Sequence, residues 1–412
     1  MKQVYKVGSL FAGVGGICLG FKQATFENNE YELAWANEID EYACETYRTN
    51  FEHKLIQGDI NKVLNPNLID IEIEDLNKKI CKETDDKTIS RFKSEISMLE
   101  EQKHYYEHQR EKILKYKIDV LNGGFPCQAF SIAGERKGFD DERGNLFWSI
   151  IHLIKDLDKI HGKPRILFLE NVKNLKSHDN GNTYKVIKSE LEKVGYIIKE
   201  EVLNTMDYSD LPQNRERIYI VGFLNEEDAH KFDLFDRIKN LKVKKSSNER
   251  MEDTKKVIDY SITSKDYEKY YYTRKKYPHY FITEEEYNQI PPEVRKEERV
   301  NLEEQINEMY QFYQVRRGMY VRKNMSDVCP TLTANMGTGG HNVPLIKVND
   351  GIRKLTPEET FKLQGFPIGQ GYELPKKYNG RSYSDAQLYK QAGNAVSVPI
   401  IKFLAKEILR IL

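Results

Sequence analysis

The chain has 412 residues, of which 39% are hydrophobic and 31% are charged. Its length exceeds one typical domain, so we expect a large core together with a second module. Lysine plus arginine and aspartate plus glutamate both total 64, so net charge neither favours nor excludes a nucleic-acid partner. The five cysteines are scattered and none forms a Cys-x-x-Cys pair, which predicts neither a disulfide framework nor a metal site. We see no signal-peptide pattern and no apolar run of membrane-spanning length, and we expect a soluble protein of a reducing compartment.

The first 60 residues alternate between strand-like and helix-like segments. The predicted strands are Val4 to Leu10, Leu33 to Ala36 and Leu55-Ile56, and the predicted helices are Gly15 to Phe21 and Asp40 to Asn50. Such alternation is typical of βαβ units and a parallel sheet.

A highly charged stretch interrupts this alternation between about residues 76 and 116. Its apolar residues recur at helical spacing, at Ile89, Phe92, Ile96, Leu99, Tyr106 and Ile113. The pattern predicts an inserted helix or helical hairpin on the surface. A solvated structural role is the favoured interpretation, and an accessory contact with DNA or protein is the alternative.

The alternating pattern returns at Ile118 and ends with a strand from Ile218 to Phe223. Between these points we predict a helix from Asn145 to Ile160, a buried strand from Arg165 to Leu169 and a helix from Tyr184 to Val194. From about residue 225 to 343 the composition shifts toward lysine, tyrosine and glutamate with weak periodicity, which indicates a separate, irregular module. The segment from Gln391 predicts a return to the first domain and a final helix.

A glycine-rich turn, from Ser9 to Gly16, lies between the first strand and the first helix. Glycines at that place let a ligand approach the backbone near a helix N-terminus. Glu38 follows the second strand, where an acid binds ribose hydroxyls, and Asp59 follows the third, where it could hold an adenine amino group. A nicotinamide site is the alternative, but Gly13-x-Gly15-x-x-Cys18 lacks the third glycine of that pattern.

Cys127 follows the apolar run at Ile118 to Leu121, within Gly123-Gly124-Phe125-Pro126-Cys127-Gln128. We predict that the run is a buried strand, that the paired glycines end it with a sharp turn, and that Pro126 stiffens the backbone before the sulfur. A thiol at the end of a parallel strand lies where open α/β sheets bind ligands. By itself the segment fits either a displayed nucleophile or a small buried residue.

Two further segments place charge near the same crevice. Glu170 directly follows a predicted buried strand and would face Cys127, although a helix cap or surface acid is the alternative. Arg215 and Arg217 precede the last strand of the block, where they suit phosphate or carbonyl contacts, or else a surface salt bridge.

Seven segments, in this order along the chain, resemble the signature blocks of the DNA (cytosine-5)-methyltransferases of bacterial restriction–modification systems. The blocks are Phe11-Ala12-Gly13-x-Gly15-Gly16, Gly124-Phe125-Pro126-Cys127-Gln128, Asp141-x-Arg143-Gly144-x-Leu146-Phe147, Glu170-Asn171-Val172, Gln213-x-Arg215-x-Arg217, Arg353-x-Leu355-Thr356 through Gln364-Gly365-Phe366-Pro367, and Gly393-Asn394-Ala395-Val396. The resemblance implies an α/β fold, in which a Rossmann-like S-adenosylmethionine-dependent methyltransferase domain carries a smaller, irregular target-recognition domain.

The resemblance also divides the chain. Residues 1–228 would form the catalytic domain, with the helical insertion at about 72–117, and residues 376–412 would complete it. Residues 229–345 would form the target-recognition domain, followed by a hinge or return segment at 346–375. Basic clusters in the recognition domain would neutralise DNA phosphates: Lys242/Lys244/Lys245, Arg274/Lys275/Lys276 and Arg316/Arg317/Arg322/Lys323.

Individual roles follow by position within the family's motifs. The catalytic residues would be Cys127, Glu170 and Arg217. S-adenosylmethionine would be bound by Phe11, Gly13, Gly16, Glu38, Asp59, Pro126, Leu146, Asn394 and Val396. DNA would be contacted by Gln128, Ser131, Arg143 and Arg215.

The implied reaction methylates carbon 5 of a cytosine that has been flipped out of a DNA duplex. The Cys127 thiolate would add to carbon 6, Glu170 would hold the N3/N4 edge, and Arg217 would touch the flipped base. We expect a monomer of the bacterial cytoplasm or nucleoid, acting on a short site that a restriction endonuclease shares without needing to bind the enzyme. Methylation of transfer RNA on the same scaffold is the alternative. A catalytically inactive DNA-binding protein would be expected to lack Cys127, Glu170 or the glycine turn.

Overall fold

A computed structural model of the chain describes residues 2–125, 145–295, 298–316, 318, 320–337 and 343–412. Its larger sheet contains β1 (Val4–Leu10), β2 (Thr25–Phe26), β3 (Asn29–Glu38), β4 (Lys54–Gln57), β5 (Val120–Gly124), β6 (Ile166–Val172), β7 (Ile197–Asn204) and β8 (Glu216–Phe223). The strands lie in the order β2-β3-β1-β5-β6-β8-β7, and β4 also pairs with β3. β1 is parallel to β3 and β5, as are β3 to β4 and β5 to β6, whereas β8 is antiparallel to both β6 and β7.

The register of these strands brings their functional residues to one edge of the sheet. Gly124, the last residue of β5, pairs with Glu170 of β6. Because β8 runs in the opposite direction, its first residues lie at the same edge, where Arg217 pairs with Val172. In open α/β sheets this edge is where ligands bind.

Helices and apolar side chains cover both faces of the larger sheet. The helices of this part are α1 (Gly16–Gln23), α2 (Glu41–Asn50), α3 (Ile60–Leu64), α4 (Leu68–Ile80), α5 (Asp86–Lys115), α6 (Asn145–Ile160), α7 (Asn182–Lys193), α8 (Thr205–Tyr208), α9 (Glu226–Lys231) and α10 (Leu234–Arg237). Alternate residues of β5 belong to different apolar clusters. Leu121 is in one cluster with residues of α6 and α7, and Val120 is in another with residues of α1 and α10. This alternation follows from the two-residue period of a strand.

The predicted helical hairpin is formed by α4 and α5. One part of this hairpin is exposed to solvent and another part is buried. From residue 81 to 105 no side chain is buried. Near the end of α5, however, Tyr106, Ile113 and Leu114 belong to the main core. The insertion is therefore only partly a surface element, because its second half contributes to the interior. Within the described part of the chain, no helix combines the length and the apolarity needed to cross a bilayer.

A second, antiparallel sheet is formed by the predicted irregular module together with the first part of the predicted hinge or return segment. Its strands are β9 (Tyr271–Tyr272), β10 (Tyr313–Arg316), β11 (Tyr320–Lys323), β12 (Leu345–Val348) and β13 (Gly351–Lys354), in the order β11-β10-β12-β13-β9. The accompanying helices are α11 (Ser247–Val257), α12 (Ser264–Tyr267), α13 (Glu284–Gln289), α14 (Leu302–Gln305) and α15 (Pro357–Leu363). One apolar cluster joins this sheet, through Ile346, to the glycine-turn region of the larger domain, through Ala12.

The chain then returns to the larger domain and completes it. A short hairpin of β14 (Lys377–Tyr378) and β15 (Arg381–Ser382) precedes α16 (Asp385–Asn394) and α17 (Val398–Leu409). Helix α17 packs on α1, where a Cβ on Gly20 would lie 2.5 Å from Ile401. The absence of a side chain at Gly20 thus permits the close approach of the two helices.

Candidate active site

A cavity of about 520 Å³ opens at the carboxyl edge of the larger sheet. Its wall includes every predicted cofactor residue that the structure describes, namely Phe11, Gly13, Gly16, Glu38, Asp59, Leu146, Asn394 and Val396. Glu170, Arg215 and Arg217 line the same cavity. Five predicted site residues lie outside the described residues: Pro126, Cys127, Gln128, Ser131 and Arg143.

The turn between β1 and α1 exposes its backbone to this cavity. Gly13 and Gly15 have positive φ angles of 56° and 84°. Gly15 must be glycine, because a Cβ there would lie 2.3 Å from the Phe51 ring. Gly13 faces open space, which leaves room for a ligand beside its backbone. Phe11 also has a positive φ, of 54°, a conformation that is rare for bulky residues and is concentrated at functional sites.

A set of hydrogen-bonded and stacked side chains packs against the glycine turn on the side away from the cavity. The Tyr47 hydroxyl donates to Cys18 Sγ over 3.1 Å and lies 2.6 Å from His53 Nε2. The Tyr47 ring stacks on Phe51, which itself packs against the turn. Burial, together with the nearby Lys22 cation, lowers the pKa of His53 to about 4.

We expect His53 to make the stability of the fold depend on pH. In the unfolded chain its pKa is about 6.5, so between pH 6.5 and 4 the unfolded state binds a proton that the folded state does not. The free energy of unfolding should therefore be highest above pH 6.5 and fall as the pH decreases toward 4. Urea unfolding at two pH values, about 7.5 and 5.5, measures this loss.

In that measurement His53→Gln should lose less stability between the two pH values than the unmodified chain. His104→Gln is the matched control, because the His104 side chain is 90% exposed on α5. Equal losses in the unmodified chain and in His53→Gln would contradict the assignment.

Glu38 ends β3 with its carboxylate held by backbone amides. Oε2 accepts from Gly13 N over 2.7 Å, and Oε1 accepts from Ile39 N and Asp40 N, both over 2.8 Å. Burial raises the pKa of Glu38, and these amides oppose the rise. The carboxylate is fixed at the cavity wall, where its remaining lone pairs can accept hydrogen bonds from hydroxyl groups of a ligand.

Asp59 lies in the turn between β4 and α3. Its side chain caps α3 by accepting from Asn61 N over 2.9 Å. The preceding Gly58 donates its N–H to Glu38 O over 2.9 Å, and Gly58 O accepts from Asn37 Nδ2 over 3.0 Å. The ends of β3 and β4 are therefore linked by backbone and side-chain hydrogen bonds.

The C-terminal return supplies the opposite wall of the cavity. Val396 packs on Gly16, where an added Cβ would lie 2.8 Å from Val396 Cγ2. Asn394, at the end of α16, is exposed at the cavity. Lys390 donates to Asp40 Oδ2 over 2.6 Å and joins the two walls. Burial acts to raise the pKa of Asp40, but the contact with Lys390 helps to lower it, and the pKa is lowered overall.

Glu170 and Arg217 form a largely buried ion pair beside these residues. Arg217 Nε lies 3.1 Å from Glu170 Oε1, and the two side chains are 13% and 10% exposed. The contact lacks the alignment of a hydrogen bond, and Oε1 has no hydrogen-bond partner among the described residues. Burial raises the pKa of Glu170, while Arg217 and Arg215 act to lower it. A buried carboxyl group with an unused acceptor suits binding of a polar ligand edge.

Arg215 requires a correction to its predicted contact with DNA. Its side chain is 2% exposed, and its guanidinium donates to the carbonyl oxygens of Leu332, Gly393 and Ala395. Burial, followed by the neighbouring Arg217 cation, lowers the pKa of Arg215 to about 9. These contacts make Arg215 an interior connection between the segment at Leu332 and the C-terminal return.

The chain enters the Cys127 segment from a well-fixed position. Phe125, the last described residue before it, is buried, and its carbonyl oxygen accepts from Asn171 Nδ2 over 2.6 Å. Gly123 and Gly124 are the last two residues of β5, so the strand ends at the paired glycines as predicted, but the glycines themselves are part of the strand and do not form the predicted sharp turn. At Gly123 the small size allows close packing against β1, because an added Cβ would lie 3.1 Å from Leu10 O.

The cavity wall also contains residues that the sequence analysis did not assign to the site, among them Ile39, Asn61 and Lys390. Ile39 is 65% exposed although it is apolar, and it directly follows Glu38. An apolar residue between two acids at a strand end was a usable signal. The sequence around Lys390 contained no such signal, because the position of Lys390 at the cavity depends on the packing of α16.

A second, polar pocket of about 390 Å³ lies beside β10 and β11. It is lined by Asn214, Gln314, Arg316, Arg322, Asn324, Pro330, Thr331, Thr333 and Asn335, with no carboxylate among them. The backbones of Arg316 and Arg322 pair within the sheet, but their guanidinium groups form no salt bridge with a residue that the structure describes. Other predicted basic residues do have acidic partners, as Lys323 with Glu308, Arg274 with Glu286 and Lys242 with Asp207.

The sheet order, the glycine turn and the acids at successive strand ends define the protein as an α/β methyltransferase of the Rossmann-like class. The model of the family described as C-5 cytosine-specific DNA methylase matches residues 5–77 and 77–410. The chain belongs to this family, and its activity is that of a DNA (cytosine-5-)-methyltransferase.

Individual relatives agree over the full length. The chain is 40% identical to the Type II methyltransferase M.Bsp6I of Bacillus sp. (strain RFL6) over 407 residues, covering 98% of each. It is 31% identical over 410 residues to the Type II methyltransferase M.HhaI of Haemophilus parahaemolyticus, covering 97% of this chain and 92% of that one. The crystal structure of S. pombe Dnmt2 methyltransferase has a TM-score of 0.54 at 16% identity, with 98% of both chains covered. At that identity it bears on the fold alone, and the predicted fold class is confirmed.

Proposed function

We propose that the chain methylates carbon 5 of a flipped-out cytosine within a short specific sequence of duplex DNA, as the modification enzyme of a restriction–modification system. S-adenosylmethionine is the proposed methyl donor and Cys127 the proposed nucleophile. One observation carries the proposal: the buried Glu170–Arg217 pair meets, at one cavity, the end of the strand that leads to Cys127. The proposed setting is a monomer in the bacterial cytoplasm, whose restriction endonuclease shares the site without needing to bind.

The residues present fit S-adenosylmethionine. Glu38 offers a fixed carboxylate to the ribose hydroxyls, and Asp59 offers an acceptor to the adenine amino group. The open space at Gly13 admits a ligand against the backbone, while Phe11 and Val396 contribute apolar surface. When bound, S-adenosylmethionine supplies an electrophilic methyl group on its sulfonium.

The side chains of the protein would prepare the base for this electrophile. Carbon 5 of cytosine is a poor nucleophile, so the Cys127 thiolate first adds to carbon 6 and forms a C–S bond. Glu170 donates a hydrogen bond to the N3 edge as negative charge develops there. Its raised pKa favours the protonated form that can donate. After methylation, loss of the carbon-5 proton and elimination break the C–S bond and restore Cys127.

Arg217 is proposed to touch the flipped cytosine beside Glu170. Its side chain lies at the cavity wall, and its Nη1 is oriented by donation to Glu216 O over 2.8 Å. Flipping costs a few kcal/mol, which contacts with the rest of the duplex must offset. The polar pocket of Arg316 and Arg322 is proposed as one source of these contacts, because unpaired guanidinium groups beside amides and hydroxyls suit phosphates and base edges.

Combining Arg316→Ala with Arg322→Ala is expected to weaken binding of a duplex containing the methylated site by about 10-fold or more, because each lost contact is worth about 1–3 kcal/mol. Affinity for S-adenosylhomocysteine should not change. Arg299→Ala is the control, since Arg299 is already paired with Glu304 over 2.6 Å. Fluorescence anisotropy at several salt concentrations separates the roles: a lost phosphate contact lowers the salt slope by about 1, whereas a lost base contact relaxes sequence preference. Unchanged DNA affinity in the double variant would contradict the assignment.

Nucleoside mass spectrometry tests the proposed function directly. Plasmid DNA and total small RNA would be isolated from cells that express the chain or its Cys127→Ala variant. New 5-methylcytosine in the plasmid, absent with the variant, is the expected result, and bisulfite sequencing of the same DNA would identify the site. A mark in RNA alone would transfer the activity to transfer RNA, and no mark in either would refute the proposal.

A further inference from the structure

The second half of α5 packs directly against the turn that carries Asp59. The Tyr106 ring lies on Gly58, where an added Cβ would be 2.4 Å from Tyr106 Cε1. Gly58 also has a φ of 147°, so both its conformation and the tyrosine above it require glycine. Because Gly58 and Asp59 line the cavity, Tyr106 supports the wall of the cofactor site from outside it.

Consecutive tyrosines of α5 contact both sides of this turn. Burial raises the pKa of Tyr106, and the backbone N–H of Asp59, which lies near the Tyr106 hydroxyl, opposes this rise. Tyr105 donates its hydroxyl to Gln57 O over 3.1 Å. The backbone is thus held on each side of Gly58 by the inserted helix.

The helix that follows the turn is held in the same way. Arg110 of α5 donates through Nε to Leu64 O over 2.9 Å, at the end of α3. Its Nη2 donates to Asp156 of α6, also over 2.9 Å. Ser149 of α6 donates to Asn61 Oδ1, next to Asp59. Helix α3 and its capping turn are therefore clamped between α5 and α6.

We propose that the helical insertion is a positioning element of the cofactor site, in which Tyr106 fixes the Asp59 turn that receives the adenine end of the ligand. The inference rests on the proposed cofactor and assigns no DNA contact to the insertion. The buried part of α5 carries this role, since the exposed part from 81 to 105 reaches the turn only through Tyr105.

Tyr106→Phe tests the proposal, because it removes the hydroxyl and keeps the ring that packs on Gly58. Isothermal titration calorimetry with S-adenosylhomocysteine should give a Kd about three- to ten-fold higher, the effect of one lost hydrogen bond. Adenosine, which has only the adenine and ribose, should lose affinity by the same factor. The KM for S-adenosylmethionine should rise while kcat and DNA affinity stay within about two-fold, because a positioning residue does not touch the reacting atoms.

Tyr116→Phe is the matched control, since Tyr116 caps the same helix and is exposed. It should leave every one of these quantities unchanged. An unchanged Kd in Tyr106→Phe, or an equal loss of cofactor and DNA affinity, would overturn the proposal. Failure of the unmodified chain to bind S-adenosylhomocysteine would instead overturn the proposed cofactor, so the two failures are distinguishable.

Discussion

Replacing Cys127 by alanine is expected to lower methyl transfer by more than about 10⁴-fold, the scale of loss when a covalent nucleophile is removed. Without addition to carbon 6, the cytosine ring keeps too little electron density at carbon 5 to attack a methyl group. Affinity for DNA and for S-adenosylhomocysteine should stay within a few-fold, because the proposed cofactor contacts of Glu38 and Asp59 are unchanged.

The adduct itself can be detected with a duplex that carries 5-fluorocytosine at the target position. Fluorine replaces the proton that must leave, so the unmodified enzyme should remain bound to the DNA through a denaturing gel, whereas Cys127→Ala should not. Cys81→Ala is the control, because Cys81 is exposed at the end of α4. Methylation retained by Cys127→Ala, or lost in Cys81→Ala, would refute the covalent mechanism.

Glu170→Gln is expected to lower kcat by about 10²- to 10⁴-fold, the usual range for loss of a general acid or base. The amide keeps the size of the side chain but cannot exchange a proton with the base, and it leaves the buried Arg217 without its counter-ion. Cofactor affinity should change by less than about three-fold, because Glu38 and Asp59 hold the other end of the cavity.

Glu216→Gln provides the comparison for this variant. Glu216 precedes Arg217 but points to the surface, where it pairs with Lys173 over 2.9 Å. Single-turnover rates should therefore be normal in Glu216→Gln and strongly reduced in Glu170→Gln. Parallel losses of rate and cofactor affinity in Glu170→Gln would argue that Glu170 supports the fold and not the reaction.

The predictable part of the site is the part that strand ends determine. Glu38 ends β3, Asp59 follows β4 and Glu170 lies near the end of β6. Parallel strands place such residues at one edge whatever the details of the loops. The sequence also indicated that Asn394 and Val396 return to this edge. The first strand and the helix at Asn145–Ile160 were predicted with the bounds that the structure has.

The unpredicted part depends on contacts between distant segments. The identical residue types of Arg215 and Arg217 could not reveal that the first is buried against Leu332 and Gly393, 117 and 178 residues away. Strand β7 was missed because Ile197–Asn204 places lysine and two glutamates between its apolar ends, and it is identified only by pairing with β8. The sheet of the smaller domain likewise consists of short strands that alternate too briefly to be recognised.

The docking of α17 on α1 has a consequence for synthesis of the protein. Asn394 and Val396 complete the cavity wall. Ile401 of α17 covers Gly20 of α1, although the two residues are 381 positions apart in the sequence. During translation the N-terminal strands can assemble early, but the apolar face of α1 stays uncovered until α17 has left the ribosome. A prematurely terminated product would therefore expose an apolar surface and possess no complete cavity. Methylating capacity is in this way tied to molecules that include α16 and α17.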